Sequence, residues 1–216
     1  MSGWFISFEG PEGSGKTTQL QGLAAYLQAR GLPVVITREP GGTPLGRYVR
    51  DLLLHPPGDE RWTPRAEVFL FLADRAQHVT RVLRPSLAEG KIILCDRYAD
   101  STLAYQGYGR GLPLDHLRAM IDFATQGLWP HKTILLDVPP EIGLRRRRTS
   151  GAVDVLDAEA LQFHARVRAG FLELARREPE RWVVLDATQP WPAVQEQIRA
   201  LVSRWLGLDE APARAP

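Results

Sequence analysis

The stretch "FEGPEGSGKTTQ", residues 8–19, follows an apolar run at residues 4–6 and leads into a helical spacing of apolar side chains. Within it, residues 10–17 read G-P-E-G-S-G-K-T, the full phosphate-loop pattern between a strand and a helix. The glycines let backbone N–H groups turn toward phosphate oxygens, and the dipole of the following helix adds to the attraction. A glycine-rich turn without a ligand is the alternative, which the flanking patterns disfavour. The predicted loop comprises Gly10, Pro11, Glu12, Gly13, Ser14, Gly15, Lys16, Thr17 and Thr18.

Two side chains of this loop are expected to carry chemistry. Lys16 would reach the β and γ phosphates of a nucleotide, and Thr17 would hold Mg²⁺. Lysine occurs only at Lys16, Lys91 and Lys132 in a chain that otherwise uses arginine. A lysine here therefore fits the need for a compact point charge.

Five apolar runs rich in β-branched residues alternate with longer segments of helical spacing. This alternation predicts an α/β fold with a five-stranded parallel sheet and helices on both faces. Thr63 and Pro64 predict the first turn of a helix that continues to about Leu83. We expect one domain over residues 1–206 and a flexible tail over 207–216. The predicted strands are 4–8, 34–37, 92–95, 134–136 and 183–185.

The composition narrows the class of protein. The net charge of +2 gives no general case for nucleic-acid binding, although four consecutive arginines at 145–148 are locally basic. A nucleic-acid-binding module that uses this cluster is the alternative outside enzymology. No apolar run is long enough for a membrane span, and no signal-peptide pattern is present, so we expect a cytoplasmic protein without a membrane partner. Cys95 is the only cysteine, which excludes an internal disulfide, and we expect it to pack in the core.

Two observations limit the reactions that the chain could catalyse: it contains no asparagine, and two charged residues follow its third predicted strand. The chain contains no asparagine, so it lacks the N-K-x-D motif with which GTPases read guanine. Asp96 and Arg97 follow the third predicted strand, at the sheet edge where ligands of open α/β folds bind. These residues leave open whether the phosphoryl acceptor is water, a hydroxyl or another phosphate.

Several stretches together resemble the bacterial thymidylate kinases. They are "FEGPEGSGKTT", "TREPGGTPLG", "FLFLADRA", "CDRYADSTLAYQGYGRG" and "DATQP", which span residues 8–190. The resemblance implies a P-loop kinase fold with the strand order of the nucleoside-monophosphate kinases, a mobile lid and a homodimer. It also implies ATP and dTMP as substrates and Mg²⁺ as cofactor. A kinase of another nucleoside monophosphate, or of a deoxynucleoside hydroxyl with Glu39 or Asp96 as base, is the rival enzyme.

The resemblance also assigns roles within a dTMP site. Phe71 would stack on thymine and Arg75 would bond its carbonyl, whereas core packing is the alternative for Phe71. Tyr105 would lie under C2′ of the sugar, and Asp96 would join Thr17 at the metal. A helix cap or a buried ion pair is the alternative for Asp96 and Arg97. The implied dTMP-binding residues are Glu12, Glu39, Arg50, Phe71, Arg75, Arg97, Ser101, Thr102, Tyr105 and Gln106.

Core packing is an alternative for Phe71 because Val68, Phe69, Leu72 and Val79 also lie in this helical segment. A surface charge pair is the ordinary interpretation of Asp74, which lies beside Arg75. Phe71 and Arg75 are four residues apart, so they share a helix face and can meet one ligand.

The resemblance further places a lid at about residues 145–156. Four consecutive arginines cannot share one helix face, so we favour Arg146 and Arg148 as catalytic, together with Lys16 and Arg97. The family often has an arginine next to Asp154, where this chain has Val155. A phosphate acceptor is already mostly a dianion at neutral pH. We therefore expect in-line transfer without a general base, driven by fixed positive charge.

Overall fold

The computed structural model describes residues 3–58, 61–149 and 159–208. Five strands form one fully parallel sheet in the order β2-β3-β1-β4-β5. The predicted fold class is thereby confirmed, and each strand extends the predicted run by one to three residues. The strands are β1 (Trp4–Glu9), β2 (Val34–Arg38), β3 (Ile92–Asp96), β4 (Lys132–Asp137) and β5 (Trp182–Asp186).

Helices connect the strands and cover both faces of the sheet. Phe5 and Ile93 pack with one group of helices, and their strand neighbours Ile6 and Leu94 pack with the other, as the two-residue period of a buried strand requires. The helices are α1 (Lys16–Gln28), α2 (Pro44–Leu54), α3 (Pro64–His78), α4 (Arg84–Ala88), α5 (Ala99–Thr102), α6 (Leu114–Thr125), α7 (Pro140–Thr149), α8 (Leu161–Arg177) and α9 (Trp191–Trp205).

Helix α3 begins as predicted and ends earlier. Thr63 is its N-cap, and its hydroxyl accepts from Ala66 N at 3.3 Å. The α-helical bonding stops at His78, and Val79–Leu83 continues as a π-helical segment. A second π-helical segment, Leu103–Gly109, follows α5 beside the cleft described below. Such segments are rare and occur often at functional sites.

The last described residues of the chain are hydrogen-bonded to the end of α9. Leu208 N donates to Ser203 O at 2.8 Å, so the first two residues of the predicted tail cap that helix. Residues 209–216 lie outside the described part. Within the described ranges, no helix is both long enough and apolar enough to cross a bilayer.

Strands β1 and β3 are neighbours whose carboxyl ends meet at one edge. Phe8 of β1 pairs with Asp96 of β3, and Arg38 of β2 pairs with the same aspartate. The chain leaves β1 into residues 10–15 and leaves β3 into Arg97. This edge therefore gathers the predicted site residues where ligands of open α/β sheets bind.

Candidate active site

The phosphate loop wraps around the side chain of Lys16. Lys16 Nζ donates to Gly10 O at 3.0 Å, Pro11 O at 2.8 Å and Ser14 Oγ at 3.2 Å. Gly10 has φ 144°, and a Cβ there would collide with the carbonyl of Leu136, so only glycine allows this path. Burial, followed by the charge of Arg97, lowers the pKa of Lys16 to about 8. The ammonium group is held where an incoming phosphate can reach it.

Thr17 and Asp96 lie together at the mouth of the loop. Thr17 Oγ1 donates to Asp96 Oδ2 at 2.5 Å, which joins the first turn of α1 to the end of β3. A hydroxyl and a carboxylate are hard oxygen ligands of the kind that Mg²⁺ takes from proteins when phosphates and water supply the rest. The described residues contain no cluster of three or more His, Cys, Asp and Glu side chains that could hold a metal ion. The donor set at this mouth fits Mg²⁺ shared with a nucleotide.

Arg97 bridges the phosphate loop and the helix after β3. Its Nη2 donates to both carboxylate oxygens of Glu12, at 2.9 and 3.0 Å, and its Nη1 donates to Gly10 O at 3.0 Å and Ser101 Oγ at 3.2 Å. Tyr105 OH accepts from Arg97 at 3.0 Å and donates to Glu12 at 2.6 Å. Arg97 has φ 68°, a left-handed conformation that is uncommon outside glycine and often marks functional positions.

Glu12 is an ionised carboxylate in this cluster. Burial alone would raise its pKa, but the charges of Arg97 and Lys16 and the hydrogen bond from Tyr105 outweigh burial and lower the pKa to about 2. The same carboxylate raises the pKa of Arg97 against the effect of burial. Three residues with separately predicted roles thus form one hydrogen-bonded unit.

The opposite end of the cleft is built on α3. Arg75 donates from Nε to Glu39 Oε2 at 2.7 Å, from Nη1 to Thr102 Oγ1 at 3.0 Å and from Nη2 to Tyr98 O at 3.2 Å. Phe71, one turn earlier on α3, is half-buried and lines the cleft. The structure therefore brings this predicted pair to one wall.

Polar side chains complete that wall. Gln106 Nε2 donates to Glu67 Oε2 at 3.0 Å, and Arg50 Nη1 donates to Pro40 O at 3.2 Å. Gln106 follows Thr102 by one turn, and both face the cleft although the chain is π-helical between them.

The cleft has a volume of about 360 Å³ and unites most of the predicted residues. Of the predicted set, the loop members Gly10, Pro11 and Ser14 and the arginines 146 and 148 are outside its lining. The predicted residues that line it are Glu12, Gly13, Gly15, Lys16, Thr17, Thr18, Glu39, Arg50, Phe71, Arg75, Asp96, Arg97, Ser101, Thr102, Tyr105 and Gln106.

The arginines of α7 lie in different surroundings. Arg147 lines the cleft, whereas Arg146 donates to Ala187 O at 2.9 Å and Arg148 is exposed. The reason is the packing of α7: a Cβ on Gly143 would collide with the carbonyl of Glu12, so this turn of α7 lies directly on the phosphate loop. Residue 147 is four positions after Gly143 and shares its helix face. Residues 150–156 of the predicted lid, including Val155, lie outside the described residues.

Two residues on α3 depart from the ordinary interpretation of the sequence. Asp74 is fully buried instead of forming a surface pair: its Oδ1 accepts from Gly41 N at 3.2 Å, and its Oδ2 has no partner among the described residues. Burial and the nearby charge of Glu39 raise the pKa of Asp74 to about 6. Phe69, one of the apolar residues that suggested core packing for this helix, is 63% exposed, because Val68 and Leu72 occupy the core face of α3.

Sequence reasoning also missed Glu9, the last residue of β1. Its Oε1 accepts from Tyr98 N at 2.7 Å and its Oε2 accepts from Ser101 Oγ at 2.6 Å. Burial and the charge of Asp100 raise the pKa of Glu9 to about 8. An acid at the end of a buried strand, directly before the loop, was the available signal. Its bonds hold the segment that carries Arg97.

Comparison with known proteins identifies one family. The family model described as thymidylate kinase matches residues 8–198. A thymidylate kinase of Thermomicrobium roseum is 54% identical over 201 residues, which cover 93% of this chain and 94% of that protein. A thymidylate kinase from Deinococcus radiodurans is 53% identical over 201 residues, which cover 93% of this chain and 97% of that protein. The crystal structure of thymidylate kinase from Ehrlichia chaffeensis superimposes with a TM-score of 0.76 at 34% identity, over 94% of this chain and 99% of that one.

Proposed function

Because this chain belongs to the thymidylate kinase family and thus phosphorylates dTMP to dTDP with ATP, we propose that the transfer occurs in line along the described cleft. The donor would lie at the phosphate loop and the acceptor between Arg97 and Phe71. The observation that carries this proposal is the convergence of Lys16 and Arg97 on one cleft whose far wall holds an aromatic ring and a buried arginine. Residues 1–206 would form the single kinase domain.

On the donor side, loop N–H groups and Lys16 bind the ATP phosphates. Lys16 moves its hydrogen bonds from loop carbonyls to phosphate oxygens, which stabilise its charge better than neutral acceptors do. Thr17 and Asp96 are the residues that would hold Mg²⁺. When bound, this ion neutralises charge on the donor phosphates.

On the acceptor side, Arg97 binds the 5′-phosphate of dTMP. A guanidinium presents its donors as a planar fork that suits phosphate, and the Arg97 fork already makes two bonds to the Glu12 carboxylate. The incoming phosphate takes over these donors. Because the acceptor is mostly a dianion at neutral pH, no side chain has to remove a proton. The task of the site is to bring two polyanions together, which fixed positive charge achieves.

The nucleoside of dTMP lies along α3 and the segment after β3. Phe71 stacks on the base and Arg75 donates to it, while Thr102 and Gln106 offer polar atoms to its edge. Tyr105 lies beside the sugar, where it disfavours a ribose. Ser101 positions Arg97, and Arg50 and Glu39 belong to the wall around the base.

A lid over residues 145–156 would close on the donor. Arg147 is the lid arginine that we assign to the transferring phosphate, because it lines the cleft and its charge helps to lower the pKa of Glu12. Closure would keep water from the phosphoryl group and so suppress ATP hydrolysis.

A homodimer would bury an apolar face on α3 and α6. Phe69 is 63% exposed and Phe123 is 88% exposed. Two large apolar side chains so exposed on neighbouring helices form the kind of patch that marks an interface. Between them runs a groove lined by Leu72, Ala73, Ala76, Ala119, Met120 and Ala124. Phe123→Glu should shift the protein from dimer to monomer in light scattering, whereas Leu161→Glu, at an exposed leucine elsewhere, should not.

The enzyme would act in the cytoplasm, because its reaction consumes ATP.

The acceptor is tested with a substrate panel. Purified protein with Mg²⁺ and ATP should form ADP with dTMP far faster than with thymidine, dCMP or AMP. If dTMP elicits no more ADP than buffer while another compound does, the assignment is wrong. The absence of a general base is tested by the pH profile of kcat/KM for dTMP. Its acid limb should follow the second phosphate ionisation of free dTMP at about pH 6, and a limb that shifts with the Glu39→Gln variant would contradict the mechanism.

A further inference from the structure

A second layer of buried polar groups lies behind the base end of the cleft. Glu39, Arg75 and His78 are 3%, 1% and 0% exposed. Glu39 Oε2 accepts from Arg75 Nε at 2.7 Å, and the other oxygen, Oε1, is 2.8 Å from His78 Nδ1. His78 Nε2 is 2.7 Å from Thr37 Oγ1. Glu39 and Arg75 line the cleft, whereas Thr37 and His78 do not. A chain of hydrogen bonds therefore leads from the cleft wall to β2.

The chemistry of a carboxylate fixes one end of this chain. An ionised Glu39 can only accept hydrogen bonds, so His78 Nδ1 carries a hydrogen and donates it. The terminal torsion of a glutamate is broad and roughly two-fold, so a carboxylate held through one oxygen can still rotate. Holding the second oxygen removes that freedom. The bond from Arg75 alone would let the Glu39 carboxylate rotate, and the bond from His78 prevents this rotation.

The orientation of Arg75 depends on where Glu39 lies. A guanidinium is planar, and the plane of Arg75 is set by its three acceptors: the Glu39 carboxylate, Thr102 Oγ1 and Tyr98 O. The shortest of these bonds is the one to Glu39. A rotation of that carboxylate would tilt the guanidinium edge that faces the cleft. Asp74, the other buried acid nearby, bonds Gly41 N instead and does not restrain Arg75 in this way.

We propose that His78 is a positioning residue for dTMP: through Glu39 it fixes the guanidinium plane of Arg75 at the base end of the cleft. The inference rests on the proposed function, because it takes Arg75 as a group that binds the base. His78 itself touches no reacting atom. Its loss should therefore weaken binding of the acceptor nucleotide while leaving the donor site and the transfer step intact.

Two substitutions at the same position separate the two bonds of His78. In His78→Asn the amide nitrogen falls close to the place of Nδ1 and can still donate to Glu39. In His78→Gln it falls close to the place of Nε2 and can reach only Thr37. We expect His78→Gln to raise the KM for dTMP by about tenfold, the usual effect of weakening one hydrogen bond from a charged donor, here the bond from Arg75 to the base. The KM for ATP and kcat should change little, and His78→Asn should largely restore the KM for dTMP.

Matched controls protect this reading from a general loss of structure. Thr37→Val keeps the side-chain shape and cuts only the outer bond, so its KM for dTMP should stay near that of the parent. Thermal unfolding checks that all variants fold. Equal behaviour of His78→Gln and His78→Asn, or a matching rise in the KM for ATP, would overturn the inference.

A third variant separates this inference from the proposed function. Phe71→Ala tests the base pocket without touching the buried chain. If Phe71→Ala raises the KM for dTMP and His78→Gln does not, the inference alone is wrong. If Phe71→Ala leaves that KM unchanged, the base pocket is misplaced and the inference falls with it.

Discussion

Replacing Asp74 by asparagine should stabilise the protein at neutral pH and lose that advantage in acid. Asp74 is fully buried, and its Oδ2 has no hydrogen-bond partner among the described residues. The Oδ1 atom, which accepts from Gly41 N, has an equivalent in the asparagine amide oxygen. The substitution therefore removes a buried charge while keeping the one bond that the side chain makes.

The magnitude follows from the pKa of Asp74, which burial and the charge of Glu39 raise to about 6. In the unfolded chain an aspartate has a pKa of about 3.9. Between these values the folded state binds more protons, so the stability of the parent protein falls as pH rises through this window. The shift of about 2 units corresponds to about 3 kcal/mol, most of which is lost by pH 7.5 and regained on acidification. Above about pH 7, where Asp74 is ionised in both the folded and the unfolded state, the loss stays constant.

Urea unfolding of both proteins at pH 4.5 and pH 7.5 measures this effect. The stability of the variant relative to the parent should improve by about 2 kcal/mol from the lower to the higher pH. Any fixed effect of the amide group cancels in this comparison between two pH values. Asp115→Asn, at an exposed position on α6, should show no comparable change. A stability difference for Asp74→Asn that is the same at both pH values would refute the argument.

Three further predictions concern the cleft. Arg97→Ala should lower kcat/KM for dTMP by about 10²–10³-fold, since it removes preorganised charge at the acceptor phosphate; steady-state kinetics at saturating ATP measure this, and a loss below tenfold would contradict the clamp. Arg147→Ala should lower kcat by about 10²-fold and Arg148→Ala by much less; equal effects in single-turnover assays would remove the assignment of the lid arginine. Gly143→Ala should raise the KM for ATP and lower the melting temperature, because the alanine methyl group would collide with the Glu12 carbonyl. If both values stay unchanged, the close packing of α7 on the phosphate loop is not needed for ATP binding or stability.

Local patterns were sufficient to predict the parts of this fold that local physics determines. The glycines of residues 10–15 and the apolar run of β1 predict a strand, a loop and a helix, because backbone conformation and burial both depend on adjacent residues. Asp96 and Arg97 were predicted to lie at the ligand-binding edge because parallel strands place their carboxyl ends on one edge of the sheet. The resemblance then assigned the acceptor side, where Phe71 and Arg75 do face one cleft.

Long-range packing decided what the sequence could not show. Asp74 and Phe69 both lie on α3, and a helical period alone does not tell which polar residue is buried and which aromatic residue faces outward. The place of Arg147 depends on the contact between Gly143 and the phosphate loop, which joins segments more than a hundred residues apart. The link from His78 to Glu39 spans 39 positions and has no periodic signature.

If Arg97 binds the acceptor phosphate as proposed, its bond to Glu12 also bears on selectivity against small anions. Orthophosphate or sulfate that approaches Arg97 would have to compete with a carboxylate tethered to the same fold, whose local concentration no dissolved salt matches. A nucleotide would offset that competition with the contacts of its base and sugar, which an inorganic anion lacks. An acid that resides within the protein itself would thus discriminate between a free phosphate and a nucleotide.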